Sequence, residues 1–249
     1  MSRWVVVKSG RWSKYRMLFI LLAGLCIIAA RGVDTGEKEV ISYGLANKII
    51  VVDAGHGGAD PGAIRGNYQE KDITLQVSQK LADYLSQAGA LVIMLREDDR
   101  DLAPNQQGSL AERKRADLKQ RVNIANQSGA HLYLSIHVNA DPNPRWSGAQ
   151  TFYHAGSERS KVNAVLIQEE LTRILKNTKR KAKAGDYYIL SRTQMPSVIV
   201  EIGFISNPRE ARNMLDEDYQ SRIAYAIFSG IAKAQIQDYD EDIEKYPVY

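Results

Sequence analysis

Four residues of this chain have types and positions that could do chemistry. With only four histidines and one cysteine in 249 residues, any metal or acid–base site must draw on very few side chains. His56 lies in Ala54-Gly-His56-Gly-Gly58, directly after the apolar run at 49–52 and Asp53. His137 follows the run at 132–136, and Glu201 follows the run at 198–200. If those runs are neighbouring strands, both imidazoles and one carboxylate reach the same edge of a sheet from segments far apart in sequence. Glu70 comes shortly before a helical pattern, and the glycine-rich loop could return it to that edge. Two imidazoles and a carboxylate form a catalytic zinc set that leaves a fourth position for water. Zinc polarises a target carbonyl and lowers the pKa of its water, while a second, non-ligating carboxylate carries the proton to the leaving group. Spacing alone leaves open which carboxylate does which. An acid before a helix is ordinarily a dipole or cap residue, whereas an acid ending an apolar strand is costly to bury without a role. Glycines 55, 57 and 58 suit a turn where backbone passes close to a metal or substrate.

The elements that must position these residues alternate. β-Branched apolar runs at 49–52, 91–95, 132–136, 151–153 and 198–202 read as buried strands. Between them, Ile73, Val77, Leu81 and Leu85 recur at helical spacing and stop near Gly89. Further helices are expected over 110–127, through Ala164 to Ile174, and over 219–236. Strands alternating with helices predict a single three-layer αβα domain with a largely parallel central sheet, whose ligands sit beyond the carboxyl ends of the strands.

The composition is 44% hydrophobic and 25% charged, that of a globular chain able to bury a core without staples. The lone Cys26 excludes an intramolecular disulfide and a multi-cysteine zinc site. The net charge of +4 is uneven. Residues 1–46 carry seven Lys/Arg against three Asp/Glu, and residues 237–249 carry five acids against one lysine. The region between is only mildly basic, which gives no support to nucleic acid as a partner. Five positive charges precede an uncharged apolar run from Met17 to Ala30, the pattern of an export signal. As a helix that run spans about 21 Å, short of the roughly 30 Å hydrocarbon core. A cleaved signal fits it, and so does an uncleaved anchor with flanking basic residues snorkelling, which would keep the chain in contact with the membrane. Leu25 before Cys26 argues against a lipid-modified cysteine. The expected organisation is a signal or anchor at 1–31, a linker at 32–47, a catalytic domain at 48–236 and an acidic tail at 237–249.

Four blocks carry a family likeness: His56 in DAGHGGADPGA, Glu70 in QEKDITL, His137 in LSIHVNA and Glu201 in VEIGFISNP. In this order they resemble the motifs of the zinc-dependent N-acetylmuramoyl-L-alanine amidases, amidase type 3, over roughly Lys48 to Ile236. The segments Asp101-Leu-Ala-Pro104, Trp146-Ser-Gly-Ala-Gln150 and Arg180-Lys-Ala-Lys183 resemble most the germination-specific, spore-cortex members from endospore-forming bacteria. The resemblance implies one zinc ion (Zn2+) held by His56, Glu70 and His137, with Glu201 as catalytic acid/base. It alone makes Glu70 a ligand. It also implies hydrolysis of the bond between N-acetylmuramic acid and L-alanine, a peptidoglycan glycan strand and stem peptide as substrate, and location outside the cytoplasmic membrane, at the cell wall or spore cortex. Need for an accessory or activator protein is left open. The family's usual Pro is Ala54 here, a change confined to the turn.

Other residues have plainer readings. His131 opens a strand and His154 ends one, so both are expected to be structural or exposed. Asp53 either orients an imidazole or caps the turn, and Arg121 is expected to form an ion pair. The basic run from Lys176 to Lys183 reads as a solvated helix end, or as a contact for anionic wall polymer or an acidic partner. Two rival functions remain: a non-catalytic peptidoglycan-binding or regulatory module, and a zinc hydrolase that cuts a different wall bond. A silent module has no need of Glu201.

Overall fold

The computed structural model describes residues 45–105 and 107–236. The signal or anchor segment, most of the linker and the acidic tail lie outside the described residues. Among the described residues no helix is long and apolar enough to cross a membrane.

The described residues form eight strands: β1 (Ile49–Ala54), β2 (Ile64–Arg65), β3 (Tyr68–Gln69), β4 (Leu91–Met94), β5 (Leu132–Asn139), β6 (Gln150–Tyr153), β7 (Lys183–Ala184) and β8 (Ser197–Phe204). Six of them make one sheet in the order β4-β1-β5-β8-β6-β7, and β2 and β3 form a separate two-stranded hairpin. The β4–β1, β1–β5 and β5–β8 pairs are parallel, as the alternating pattern predicts. β6 is the exception and runs antiparallel to β8. No helix separates β5 from β6, and a parallel neighbour normally needs a crossover of a dozen residues or more. The two-residue β7 pairs parallel with β6 inside the basic run; it is too short to leave a pattern in the sequence.

Side chains alternate across the sheet and sort into two cores. Ile50, Val52, Leu132, Leu134, Ile136, Val198, Val200 and Ile202 pack against α1 (Glu70–Gln87), α3 (Glu158–Leu175) and α6 (Glu217–Ile236). Val51, Tyr133 and Ile199 face the opposite layer, built from α2 (Leu110–Gln127) and α4 (Tyr188–Arg192). A short α5 (Pro208–Asn213) follows β8. The result is the expected three-layer arrangement. Leu45, within the expected linker, is fully buried in the larger core.

Local signals explain the helix ends. Ser109 and Glu112 form a reciprocal capping box, and α2 starts and stops where its pattern predicts. Gly89 follows the Ala88 cap of α1 with φ +91, a left-handed turn that glycine enters without a steric penalty. Two strands run further than their apolar runs suggest. β5 continues through His137 to Asn139, and β8 continues past Glu201 to Phe204. Polar residues break the apolar pattern there while the backbone ladder carries on.

Leu134 sits fully buried in β5, one of the sheet's two central strands. Leu134→Ala is expected to destabilise the fold by about 2–5 kcal/mol through lost burial and the cavity left behind. Equilibrium urea unfolding reads this as a lower midpoint at unchanged slope; an unchanged midpoint would refute the assignment of this strand to the core centre.

Candidate active site

The three residues proposed as ligands from the sequence meet at the carboxyl edge of the sheet. One ligand atom from each of His56, Glu70 and His137 lies within 4.8 Å of the others. His56 follows β1, Glu70 is the first residue of α1, and His137 lies within β5. Glu70 Oε1 is 3.2 Å from His56 Nε2 and 3.0 Å from His137 Nδ1. The two rings are edge-on, with centroids 5.0 Å apart.

The donor set suits a metal ion. Asp60 Oδ2 lies 2.8 Å from His56 Nδ1 and accepts its hydrogen bond, which leaves Nε2 aimed at Glu70 Oε1. A cation suits the position between these two atoms, either the second imidazole proton or a metal ion that displaces it. Glu70 Oε1 also accepts the Val138 N–H at 2.8 Å, and Oε2 accepts the Ala63 N–H at 2.8 Å, fixing the carboxylate. The approach depends on absent side chains. A Cβ on Gly55 would stand 2.4 Å from His137 Cε1, and one on Gly62, at φ +67, would stand 2.6 Å from Glu70 Oε2.

Glu201 lies opposite His137 in the β5–β8 register, and Cα partners in adjacent strands put their side chains on one face. Its Oε2 is buried without a hydrogen-bond partner. Burial pushes its pKa up; His137 opposes this, Glu70 reinforces it, His56 opposes it, and the balance is about 7. That is the range in which one carboxyl can both take and give a proton near neutral pH.

Comparison with known proteins gives this edge its context. Residues 50–233 match the model of the family described as N-acetylmuramoyl-L-alanine amidase. The chain belongs to that family. It is 42% identical over 227 residues to the germination-specific N-acetylmuramoyl-L-alanine amidase of Bacillus subtilis (strain 168), covering 91% of this chain and 95% of that protein. Among solved structures it is similar to the CwlD amidase from Clostridioides difficile, determined in complex with the GerS lipoprotein. The TM-score is 0.74 and the identity 41%, over 76% of this chain and 98% of that one. The catalytic domain of the CwlV amidase from Bacillus (Paenibacillus) polymyxa matches with a TM-score of 0.66 at 31% identity, over 75% of this chain and 97% of that one.

Beneath the edge of this peptidoglycan amidase, two buried arginines hold the β1 turn. Arg121 donates to the carbonyls of Ala54 at 2.9 Å and His56 at 2.6 Å, and pairs with Asp53 and with Asp117 at 2.8 Å. This bears out the ion pair. Arg96 donates to the carbonyls of Ala54 at 2.8 Å, Gly55 at 3.0 Å and Lys71 at 2.7 Å, tying the turn to the first turn of α1. His56 sits at φ +63, a strained conformation for a side-chain-bearing residue, and these bonds hold it there. Asp53 takes neither expected role: its oxygens accept from Arg121, from Tyr133 Oη at 2.6 Å and from Ser135 Oγ at 2.7 Å. Burial pushes its carboxyl up, and Arg121, Tyr133 and Ser135 outweigh it, holding it below its ordinary range.

A cavity of about 180 Å³ opens here, lined in part by His56, Asp60, Lys114, His137 and Ile189. His131 and His154 stay away from it: His131 accepts the Ile49 N–H before β5, and His154 follows β6 at the opposite edge. Asp60 and Arg96 carry no assigned role in the sequence reading. Asp60 stands four residues from His56 inside the glycine-rich block DAGHGGADPGA, whereas Arg96 looks like an ordinary charge after a strand. Asp60 also accepts from Lys114 at 2.7 Å.

Two outcomes follow from this network. Arg121→Met leaves Asp53 buried without its counter-ion, and a loss of about 3–5 kcal/mol is expected; a thermal midpoint equal to wild type would contradict it. The second concerns protons. Burial lowers the His56 pKa, but hydrogen bonds and charge from Asp60 and Glu70 outweigh it and raise it from 6.5 to about 9. Protonated His56 therefore stabilises the metal-depleted fold fully below about 6.5, and that contribution fades as pH rises through 9. A metal must displace that proton, so zinc affinity should climb with pH over the same window. Chelator competition would measure this, and in Asp60→Asn the rise should move to lower pH.

Proposed function

We propose that the chain is a zinc-dependent amidase that cuts the bond between N-acetylmuramic acid and L-alanine in the spore cortex. One observation carries this reading: three metal-type ligand atoms lie within 4.8 Å of one another, beside a buried carboxylate with an unpartnered oxygen. His56, Glu70 and His137 would hold one zinc ion, which when bound supplies a Lewis acid for the carbonyl and makes water more acidic. Glu201 takes the proton of the attacking water as its oxygen bonds to the lactyl carbonyl carbon. The same carboxyl then gives that proton to the alanine nitrogen as the carbon–nitrogen bond breaks. The products are a carboxylate on the glycan and a free amino terminus on the stem peptide, with the glycan strand intact. The hydrogen bonds to Glu70 and the two arginine clamps fix the ligands in place before substrate arrives.

The spore-cortex assignment is supported by the germination-specific relative. The lipoprotein bound to the Clostridioides difficile enzyme supports an accessory protein of that kind as a partner. Action outside the cytoplasmic membrane is supported by the basic and apolar N-terminal segment. We assign residues 1–31 as signal or anchor and 237–249 as the acidic tail, with the linker from 32 giving way to the catalytic domain by Leu45, three residues before the expected boundary at 48, because Leu45 packs into that domain's core.

Glu201→Gln is expected to reduce turnover by at least about a thousandfold, a loss at the upper end for general acid–base catalysis, while zinc stays bound. The assay digests isolated peptidoglycan and scores new L-alanine amino termini by mass spectrometry, with and without chelator. Release of a free amino acid or acetate in place of those termini would overturn the assignment of the bond, and full activity after chelation would overturn the zinc.

A further inference from the structure

The segments at 146–150 and 180–183 meet on the rim of the site, and the chemistry above uses neither. Arg180 stacks between two aromatic rings, its guanidinium carbon 5.1 Å from the Trp146 ring and 4.9 Å from the Phe204 ring. Its Nε donates to the Ser147 carbonyl at 3.0 Å and its Nη1 to Gln150 Oε1 at 3.2 Å. Gln150 is the Cα partner of Glu201 across β6 and β8. Paired Cα atoms lie roughly 4.5–5.5 Å apart with side chains on one face. Arg180 is thus tied to the row that holds the unpartnered carboxylate.

The rim is built to keep this arrangement. Thr178 Oγ1 donates to the Ala149 carbonyl at 2.9 Å and accepts the Arg180 N–H at 3.0 Å. Gly148, at φ +95, lies so close that a Cβ there would stand 2.9 Å from Thr178. Arg180 has a planar donor group, two apolar lids, and no carboxylate in ion-pair contact among the described residues. The nearby acid, Glu210, accepts the N–H groups of Gly148 at 3.0 Å and Phe204 at 2.8 Å instead. Its third nitrogen, Nη2, makes no hydrogen bond among the described residues. Trp146 is 48% exposed, so the stack opens to solvent.

We propose that Arg180, held between Trp146 and Phe204, binds a carboxylate on the stem peptide beside the bond that is cut. This deepens the amidase reading and rests on it. A guanidinium between aromatic faces is poorly hydrated and matches the two oxygens of a carboxylate better than a neutral sugar. The residue after L-alanine lies one to two residue lengths from the bond, at roughly 3.3–3.6 Å each. An anion there meets Arg180 while the scissile amide stays at the edge with Glu201. The amidase would thereby select stems with a free carboxyl at that residue over amidated ones.

Two synthetic N-acetylmuramoyl dipeptides test it, one with a free carboxylate on the residue after L-alanine and one with a carboxamide. Both are titrated calorimetrically into the full-length, zinc-loaded Glu201→Gln protein, which holds ligand without turning it over. The carboxylate form is expected to bind about tenfold tighter, as a charge-assisted contact allows. Adding Arg180→Gln should bring the ratio to within twofold, with zinc content and thermal midpoint checked alongside. Equal affinities, no measurable binding of the carboxylate form, or a preference that survives Arg180→Gln overturns the proposal. Failure of wild type to cleave either compound would fall on the amidase reading, which the binding ratio does not use.

Discussion

The parallel register of β5 with β8 is the constraint on which the site depends. It sets His137 opposite Glu201, and β1 continues the same sheet on the other side of β5, so that Ala54 pairs with Ile136 and Gly55 donates to its carbonyl. A slip of one residue would turn either side chain to the other face. The apolar alternation forbids that slip, because Leu132, Leu134 and Ile136 would exchange places with Tyr133, Ser135 and His137. The burial that stabilises the sheet is therefore the same burial that aims the chemistry.

Electrostatics then divides the buried acids into two kinds. Asp53, Glu70 and Glu210 are each satisfied by several donors: an arginine and two hydroxyls, two backbone N–H groups with the imidazoles, and further backbone N–H groups. Glu201 has one oxygen with no donor among the described residues. An unsatisfied buried polar atom costs about 1–3 kcal/mol, and the same fold also satisfies Asp117 and Glu170. What separates Glu201 from the others is that its unpartnered oxygen belongs to the residue paired with His137 in the sheet.

The sequence disclosed the site better than it disclosed the site's supports. Strand-end positions of His56, His137 and Glu201 were readable because each interrupts an apolar run, and that same interruption hid the true ends of β5 and β8. Glu70 needed its motif, since an acid opening a helix has an ordinary use. Arg96 left no trace: its role is to donate to carbonyls of residues 54, 55 and 71, and such bonds exist only once β1, β4 and α1 are assembled. The reversed direction of β6 left its signal only in the short connection after β5, where no helix intervenes, because a four-residue buried strand has the same composition either way.

The strain at His56 shows how these layers combine. A positive φ at a residue with a side chain is disfavoured by about 1–3 kcal/mol, and a glycine at 56 would remove the cost along with the imidazole. The chain keeps the histidine and surrounds it with glycines 55, 57 and 58, so the flexible positions flank the strained one. Arg121 and Arg96 then take up the carbonyls that the turn exposes. Each arginine is itself costly to bury, and Asp53 and Asp117 offset that cost for Arg121. The acid near the end of β1 therefore has a traceable purpose: it holds the arginine that holds the carbonyl of the strained histidine, and so acts on His56 without touching it.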